Sequence, residues 1–211
     1  MRRTISSAFC LMLVATACVS RPAAAADPVS EPLVKRVRDA LDRGIDFLRR
    51  TERGRGHWET DVYDASFRTG GPSCLAVLAL LNSGVRPEDP TVQRGLDYIR
   101  KLDLVDTYVV GLQTMVLAEA GDSKDLQRIQ RNVDWLIAAR VVRGGQLQGW
   151  GYRQEQGWVD NSNSQYALLG LYAGNQAGAH IEPAIWESIF QYYKTTQKPD
   201  GGWIYAPNQD G

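Results

Sequence analysis

Histidine occurs twice, methionine three times and cysteine three times in 211 residues. Such scarcity leaves little material for metal chemistry. Cys10 and Cys18 stand in an N-terminal stretch that reads as a leader, so Cys74 is alone in an apolar run. No intrachain disulfide is therefore expected, and a buried, inert thiol is the default. A surplus of one charge is also missing, with Lys plus Arg at 24 and Asp plus Glu at 24. A protein that holds nucleic acid through its phosphates needs a basic excess, so nucleic acid is not an expected partner. Beyond the leader no apolar run approaches the roughly 20 residues of a membrane span. No strand-like alternation of period two stands out either.

Glycine and tryptophan are what the chain has instead, at 20 and six, both at regular places. The length favours one domain with an ample core. Arg2 and Arg3 precede an apolar run from Ala8 to Val19, and Ala24, Ala25 and Ala26 stand before Asp27. That is the three-part pattern of a secretory signal, with cleavage expected near Ala26. Ala15, Thr16, Ala17 and Cys18 also read as a lipobox, which would make a lipoprotein anchored through Cys18. The expected domains are thus a signal peptide over 1–26 and one repeat domain over 27–211. Removing the leader leaves 21 basic against 24 acidic residues. The destination is the periplasm or the outside of the cell.

The domain repeats internally. Phe47, Tyr98, Trp135 and Tyr192 are each followed by an aliphatic or aromatic residue. Gly84, Gly121 and Gly178 each end an apolar run. From Gly84 to Tyr98, Gly121 to Trp135 and Gly178 to Tyr192 the spacing is always 14. Between these marks the periodicity predicts amphipathic helices over about 33–51, 90–102, 124–140 and 182–197. It predicts helices apolar on every side, hence buried on every side, over about 70–83, 106–120 and 162–177. Glycine suits the left-handed position that closes each of the latter. The fold expected is all-α: about seven helices in outer–inner pairs, forming a partial α/α toroid, with an open α-solenoid as rival. Outer-aromatic to inner-glycine distances are 37, 23 and 43, so length variation falls on one face, where repeat proteins carry their binding sites.

Tyr192, Tyr193, Gln197, Asp200, Gly201, Gly202 and Trp203 resemble the QW repeat of squalene–hopene cyclases and related prenyltransferase-type toroids. Phe47, Leu48, Glu52, Gly56 and Trp58 repeat that spacing with glutamate for glutamine. Trp135, Leu136, Gly149 and Trp150 are similar with an insertion, and Arg140 stands at the glutamine position. The unit at Tyr98 lacks the Gly-x-Trp end. In physical terms the glutamine can bond carbonyls freed at a helix end, the glycines allow a reversal, and the tryptophan packs back on the helix. Trp58, Gln197, Gly201, Gly202 and Trp203 are accordingly expected to be structural.

The class II cyclases of that family use an Asp-x-Asp-Asp acid, which this chain lacks. Asp61 and Asp64 are the nearest candidates, with helix capping as the competing reading. The prenyltransferases carry a zinc site of Asp, Cys and His, but Cys74, His57 and His180 form no such set, so no metal and no cofactor are expected. The thioester motif of complement-like toroids is absent around Cys74. Candidate ligand contacts are Tyr63, Trp150, Tyr152, Trp158, Asp160 and Tyr205, aromatic faces beside polar groups on the variable face. Asp106, and Asn161 or Ser162, are expected N-caps. Only eight residues follow Trp203, so the fourth outer helix lacks an inner partner. Either the chain is a fragment or another chain completes it, which makes a protein partner or self-association an expectation. The leading functional expectation is a non-catalytic module whose loop face holds an apolar or aromatic-stacking ligand, which could be carbohydrate-like, or a protein partner. The alternative is an enzyme: a cyclase-like protein whose acid lies past residue 211, or a polysaccharide hydrolase or lyase drawing on Asp61, Asp64, Glu155 and Asp160.

Overall fold

A computed structural model describes residues 31–59 and 69–207. The signal sequence, the lipobox, Asp61, Tyr63 and Asp64 lie outside the described residues. By contact the chain divides into residues 1–39 and 40–211. In the first, Lys35 pairs with Asp39 one helical turn on, at 2.8 Å.

The protein is mostly helical. The helices are α1 (Glu31–Thr51), α2 (Gly71–Asn82), α3 (Pro90–Ile99), α4 (Thr107–Ala120), α5 (Leu126–Ala138), α6 (Asn161–Gln176) and α7 (Pro183–Thr196). Each falls where the periodicity puts it, with ends shifted by a few residues. Among the described residues, no helix is long and apolar enough to cross a membrane. Gly84, Gly121 and Gly178 follow α2, α4 and α6 at φ 85°, 68° and 97°. A side chain at that φ meets its own backbone, so glycine stops the helix without strain.

Helix α4 lies between α2 and α6. Helix α3 packs on α2, while α5 packs on α4 and α6. The apolar helices therefore neighbour one another with α3 and α5 against them, but the expected burial on every side fails: Leu75 on α2 and Leu169 and Tyr172 on α6 are exposed. The α4–α6 contact is closest at two glycines. A Cβ on Gly111 would stand 2.5 Å from the Tyr166 carbonyl oxygen, and one on Gly170 would stand 2.7 Å from the Gly111 Cα. The core runs through Leu80, Leu96, Leu112, Leu117, Leu136 and Leu171, all fully buried.

No strand pattern stands out in the sequence, yet a small sheet is present. The stretch after α5 is not all loop: β1 (Arg140–Arg143) and β2 (Gln146–Trp150) form an antiparallel hairpin. Gly144 and Gly145 turn it at φ 55° and 76°. Two consecutive positive φ values suit a two-residue hairpin turn, and glycine adopts both freely. The strands are too short, and a bulge at Val141/Val142 interrupts their register, so alternation never shows. Strand β2 packs on α6 and α7.

Tryptophan clasps join these elements. The indole N–H of Trp58 donates to the Leu48 carbonyl at 2.8 Å, that of Trp150 to Leu136 at 2.7 Å, and that of Trp203 to Tyr193 at 2.9 Å. In every case the acceptor is the residue just after the helix aromatic. The unit without tryptophan satisfies the same carbonyl differently: Gln113, buried in α4, donates Nε2 to Ile99 at 2.7 Å, and its Oε1 accepts from Asn132 at 2.8 Å. The main-chain N–H groups of Trp58 and Trp150 donate to Ser73 and Ser164, in the first turn of α2 and of α6, both at 3.0 Å. The Trp58 and Trp150 clasps thus tie the ends of α1 and α5 to the starts of α2 and α6.

The glutamine position works otherwise than expected. Gln197 follows α7 and donates to Gly201 O within the reversal at 2.8 Å, not to a helix carbonyl. Glu52 holds the matching reversal from the acceptor side, taking the Gly56 N–H at 2.7 Å. Arg53 N–H donates to His57 O at 3.0 Å and Lys198 N–H to Gly202 O at 2.9 Å, so one loop is built twice. Only Arg140 bonds a helix-end carbonyl, that of Ile137, at 2.8 Å.

Candidate functional site

Beyond Trp150 the chain leaves the hairpin and makes a loop over 151–159, pinched at its neck where the Asp160 N–H donates to the Trp150 carbonyl at 3.1 Å. Tyr152 and Trp158 rise from its two legs with rings nearly parallel, 5° apart in tilt and 5.8 Å between centroids. Tyr205 arrives from the C-terminal segment and sets its ring 6.4 Å from Trp158, inclined at 59°. The three rings make an open aromatic corner. Trp158 and Tyr152 are half-buried, and Tyr205 is 58% exposed.

Two main-chain bonds fix the corner. The first amide of α4, Thr107 N–H, donates to Tyr152 O at 2.8 Å, and the first amide of α6, Asn161 N–H, donates to Tyr205 O at 2.7 Å. The Asn161 side chain reaches the Ile204 carbonyl as well. Tyr152 and Tyr205 each stand two residues past a clasp tryptophan, and that spacing delivers them to the N-terminal ends of α4 and α6. Amide groups at a helix start have no partner within the helix, and an incoming loop carbonyl satisfies one of them.

Aspartates cap both helices beneath. Asp106 accepts from Tyr108 N–H at 3.0 Å. Asp160, fully buried, accepts the Asn163 N–H at 2.7 Å and the Ser162 hydroxyl at 2.7 Å on one oxygen, and the Asn163 amide at 2.8 Å on the other. Asp160, rather than Asn161 or Ser162, is the N-cap of α6. With both oxygens engaged below the surface, it offers neither a ligand contact nor a reacting carboxylate. Trp150 is corrected likewise: its side chain is fully buried and its N–H is taken by Leu136, so it holds the site up without touching a ligand. Tyr192 belongs to the same support. It donates to Asn161 Oδ1 at 2.8 Å, and burial pushes its hydroxyl up to about 12.

The polar edges of the corner remain open. Unlike the clasp indoles, neither the Trp158 N–H nor the Tyr205 hydroxyl has a partner among the described residues. Arg153, Gln154, Glu155 and Gln156 form an exposed polar collar on the loop. Glu155 is the one described non-glycine residue with positive φ, at 64°. A residue held there stores strain, which clusters at functional loops.

The other chemistry-bearing residues do not converge here. Burial pushes the Cys74 thiol up, with the nearby Glu59 carboxylate adding to the effect, so it is no nucleophile. His57 lies 5.3 Å from the Tyr98 ring, and His180 bonds Glu182 at 2.8 Å. Among the described residues, no three His, Cys, Asp or Glu side chains could hold a metal ion together. A separate open cleft of about 860 Å³ lies between α1 and the turn after α2, lined in part by Asp42, Ile45, Val85 and the Arg49–Asp89 ion pair at 2.8 Å. No protein-family model matches the chain, no curated protein matches it, and no solved structure matches it.

Proposed function

We propose that this chain is an exported repeat domain, a partial α/α toroid of the QW type, that binds a ligand on its loop face without turning it over. The observation that carries the reading is the aromatic corner of Tyr152, Trp158 and Tyr205, pinned by two main-chain bonds to the starts of α4 and α6. Aromatic side chains left half-exposed on a rigid scaffold forgo the burial that would stabilise the fold, so their placement suits a partner. Asp160, a candidate acid beneath the corner, is committed to its cap.

The test is the intrinsic fluorescence of the chain on titration with candidate ligands, beside Trp158→Ala. A ligand that perturbs the parent protein and leaves the folded variant unaffected supports the reading. Product formation from a polyprenoid or polysaccharide by the purified protein overturns it. Export is tested separately by the N-terminus of the secreted protein, expected at Asp27. A protein partner is the second reading, favoured by exposed Leu169 and Tyr172 on α6 and Phe190 on α7. A monomer mass by light scattering would remove self-association.

A further inference from the structure

An aromatic corner can receive a hydrocarbon, a planar ring or a sugar, and these place different demands on the polar atoms around it. A hydrocarbon lying across Trp158 and Tyr205 would strip water from an indole N–H and a phenol O–H that no described residue satisfies, and would return nothing. It would also need enclosure, since apolar ligands are held in concave pockets that cover most of their surface. The corner is open and its rim is polar.

A pyranose has the opposite character. One face carries C–H groups that pack on the negative face of an aromatic ring, while its edge carries hydroxyls that both donate and accept. Tyr152 and Trp158 stack with their rings 5° from parallel, and Tyr205 sets a third ring at 59° to Trp158. The Trp158 N–H and Tyr205 O–H stand at the edges of these rings, where sugar hydroxyls would lie. The exposed collar of residues 153–156 carries one positive and one negative charge and so favours no net charge on the ligand, while Gln154 Nε2 is taken by Trp135 O at 3.3 Å and Gln156 Oε1 by the Arg153 N–H at 3.2 Å.

We propose that the Tyr152–Trp158–Tyr205 corner is a recognition site for a neutral pyranose glycan, a proposal that rests on the binding-module reading above. Trp158 supplies the stacking face and an N–H donor, and Tyr205 a second face and a hydroxyl. The main-chain bonds of Thr107 and Asn161 hold the rings in place before the ligand arrives, which lowers the ordering entropy that binding would otherwise cost.

Calorimetric titration of the full chain with cellohexaose, xylohexaose, chitohexaose and maltohexaose tests it, with farnesol as the apolar probe. At least one hexaose should bind with a Kd below about 1 mM. Trp158→Ala should weaken that binding by about tenfold or more, as loss of an anchoring aromatic does. Tyr205→Phe, which removes only a hydroxyl, should weaken it by a smaller factor, and unchanged thermal unfolding would show that both variants fold. Farnesol binding that is lost in Trp158→Ala, with no hexaose bound, overturns the glycan and leaves the binding module standing. Silence from every probe overturns both, and a hexaose that binds folded Trp158→Ala as tightly as the parent chain removes the site.

Discussion

Replacing Trp150 by phenylalanine keeps an aromatic ring in the core but removes the N–H that reaches the Leu136 carbonyl at 2.7 Å. Both residues are fully buried, so water cannot take over as donor. A buried acceptor left without a partner costs about 1–3 kcal/mol. The smaller ring also opens a space of a few tens of Å³, adding about 1 kcal/mol at ~24 cal/mol per Å³. The expected loss is about 2–4 kcal/mol. Trp203→Phe deletes the same bond type, to Tyr193 at 2.9 Å, but Trp203 is 44% exposed. Water can then reach the freed carbonyl, and the loss should stay below about 1 kcal/mol. Trp58, 8% exposed, should fall between them. Urea unfolding followed by circular dichroism reads all three, with equal m values required for the comparison. Equal losses at Trp150 and Trp203 would refute the argument, because they would show that burial of the acceptor does not set the worth of a clasp.

Three further outcomes are expected. Gln113→Met strands both the Ile99 carbonyl and the Asn132 amide and should destabilise by about 2–4 kcal/mol; adding Asn132→Leu should recover part of that loss in the same unfolding assay. Gly111→Ala should lower the thermal midpoint although alanine is the better helix former, because its Cβ would meet the Tyr166 main chain at 2.5 Å; a raised midpoint would show that α4 and α6 separate freely. Burial presses the Glu52 carboxyl upward, but the Arg94 guanidinium and the Gly56 and Gly54 amides outweigh it, and its pKa is lowered. Its stabilisation is therefore present above the ordinary glutamate value and fades as pH falls through the lowered one. Glu52→Gln should accordingly cost less than about 1 kcal/mol at neutral pH, Arg94 being partly exposed, and less still at about pH 3; a constant difference between those pH values would refute the ion pair.

The helices were legible because their signals are redundant. Leu75 to Leu81 is apolar without a break, Gly84 closes it, and the same distance then leads to Tyr98. The hairpin was hidden by its brevity, although Gly144–Gly145 between Val142 and Leu147 is a hairpin signal in its own right. Gln113 could not be assigned a role, since a polar residue in an apolar helix names no partner, and its acceptor lies 14 residues back. At the site, the polar and aromatic content of 150–160 was visible while its division was not. Trp150 and Asp160 turn inward and Tyr152 and Trp158 outward, a distinction set by the hairpin and the cap. The recurrence of tyrosine two places after tryptophan, in Trp150-Gly-Tyr152 and Trp203-Ile-Tyr205, was the one clue that these distant segments meet.

The carbonyls of Leu48, Ile99, Leu136 and Tyr193 have the same task, yet they are served by indoles in three cases and by a carboxamide from another helix in the fourth. What recurs along the chain is thus an oxygen of the backbone awaiting a donor, and the side chain that answers is replaceable. Units of this kind can trade tryptophan for glutamine and keep their shape, so a pattern written in amino-acid letters will overlook some of them while a pattern written in main-chain acceptors will not.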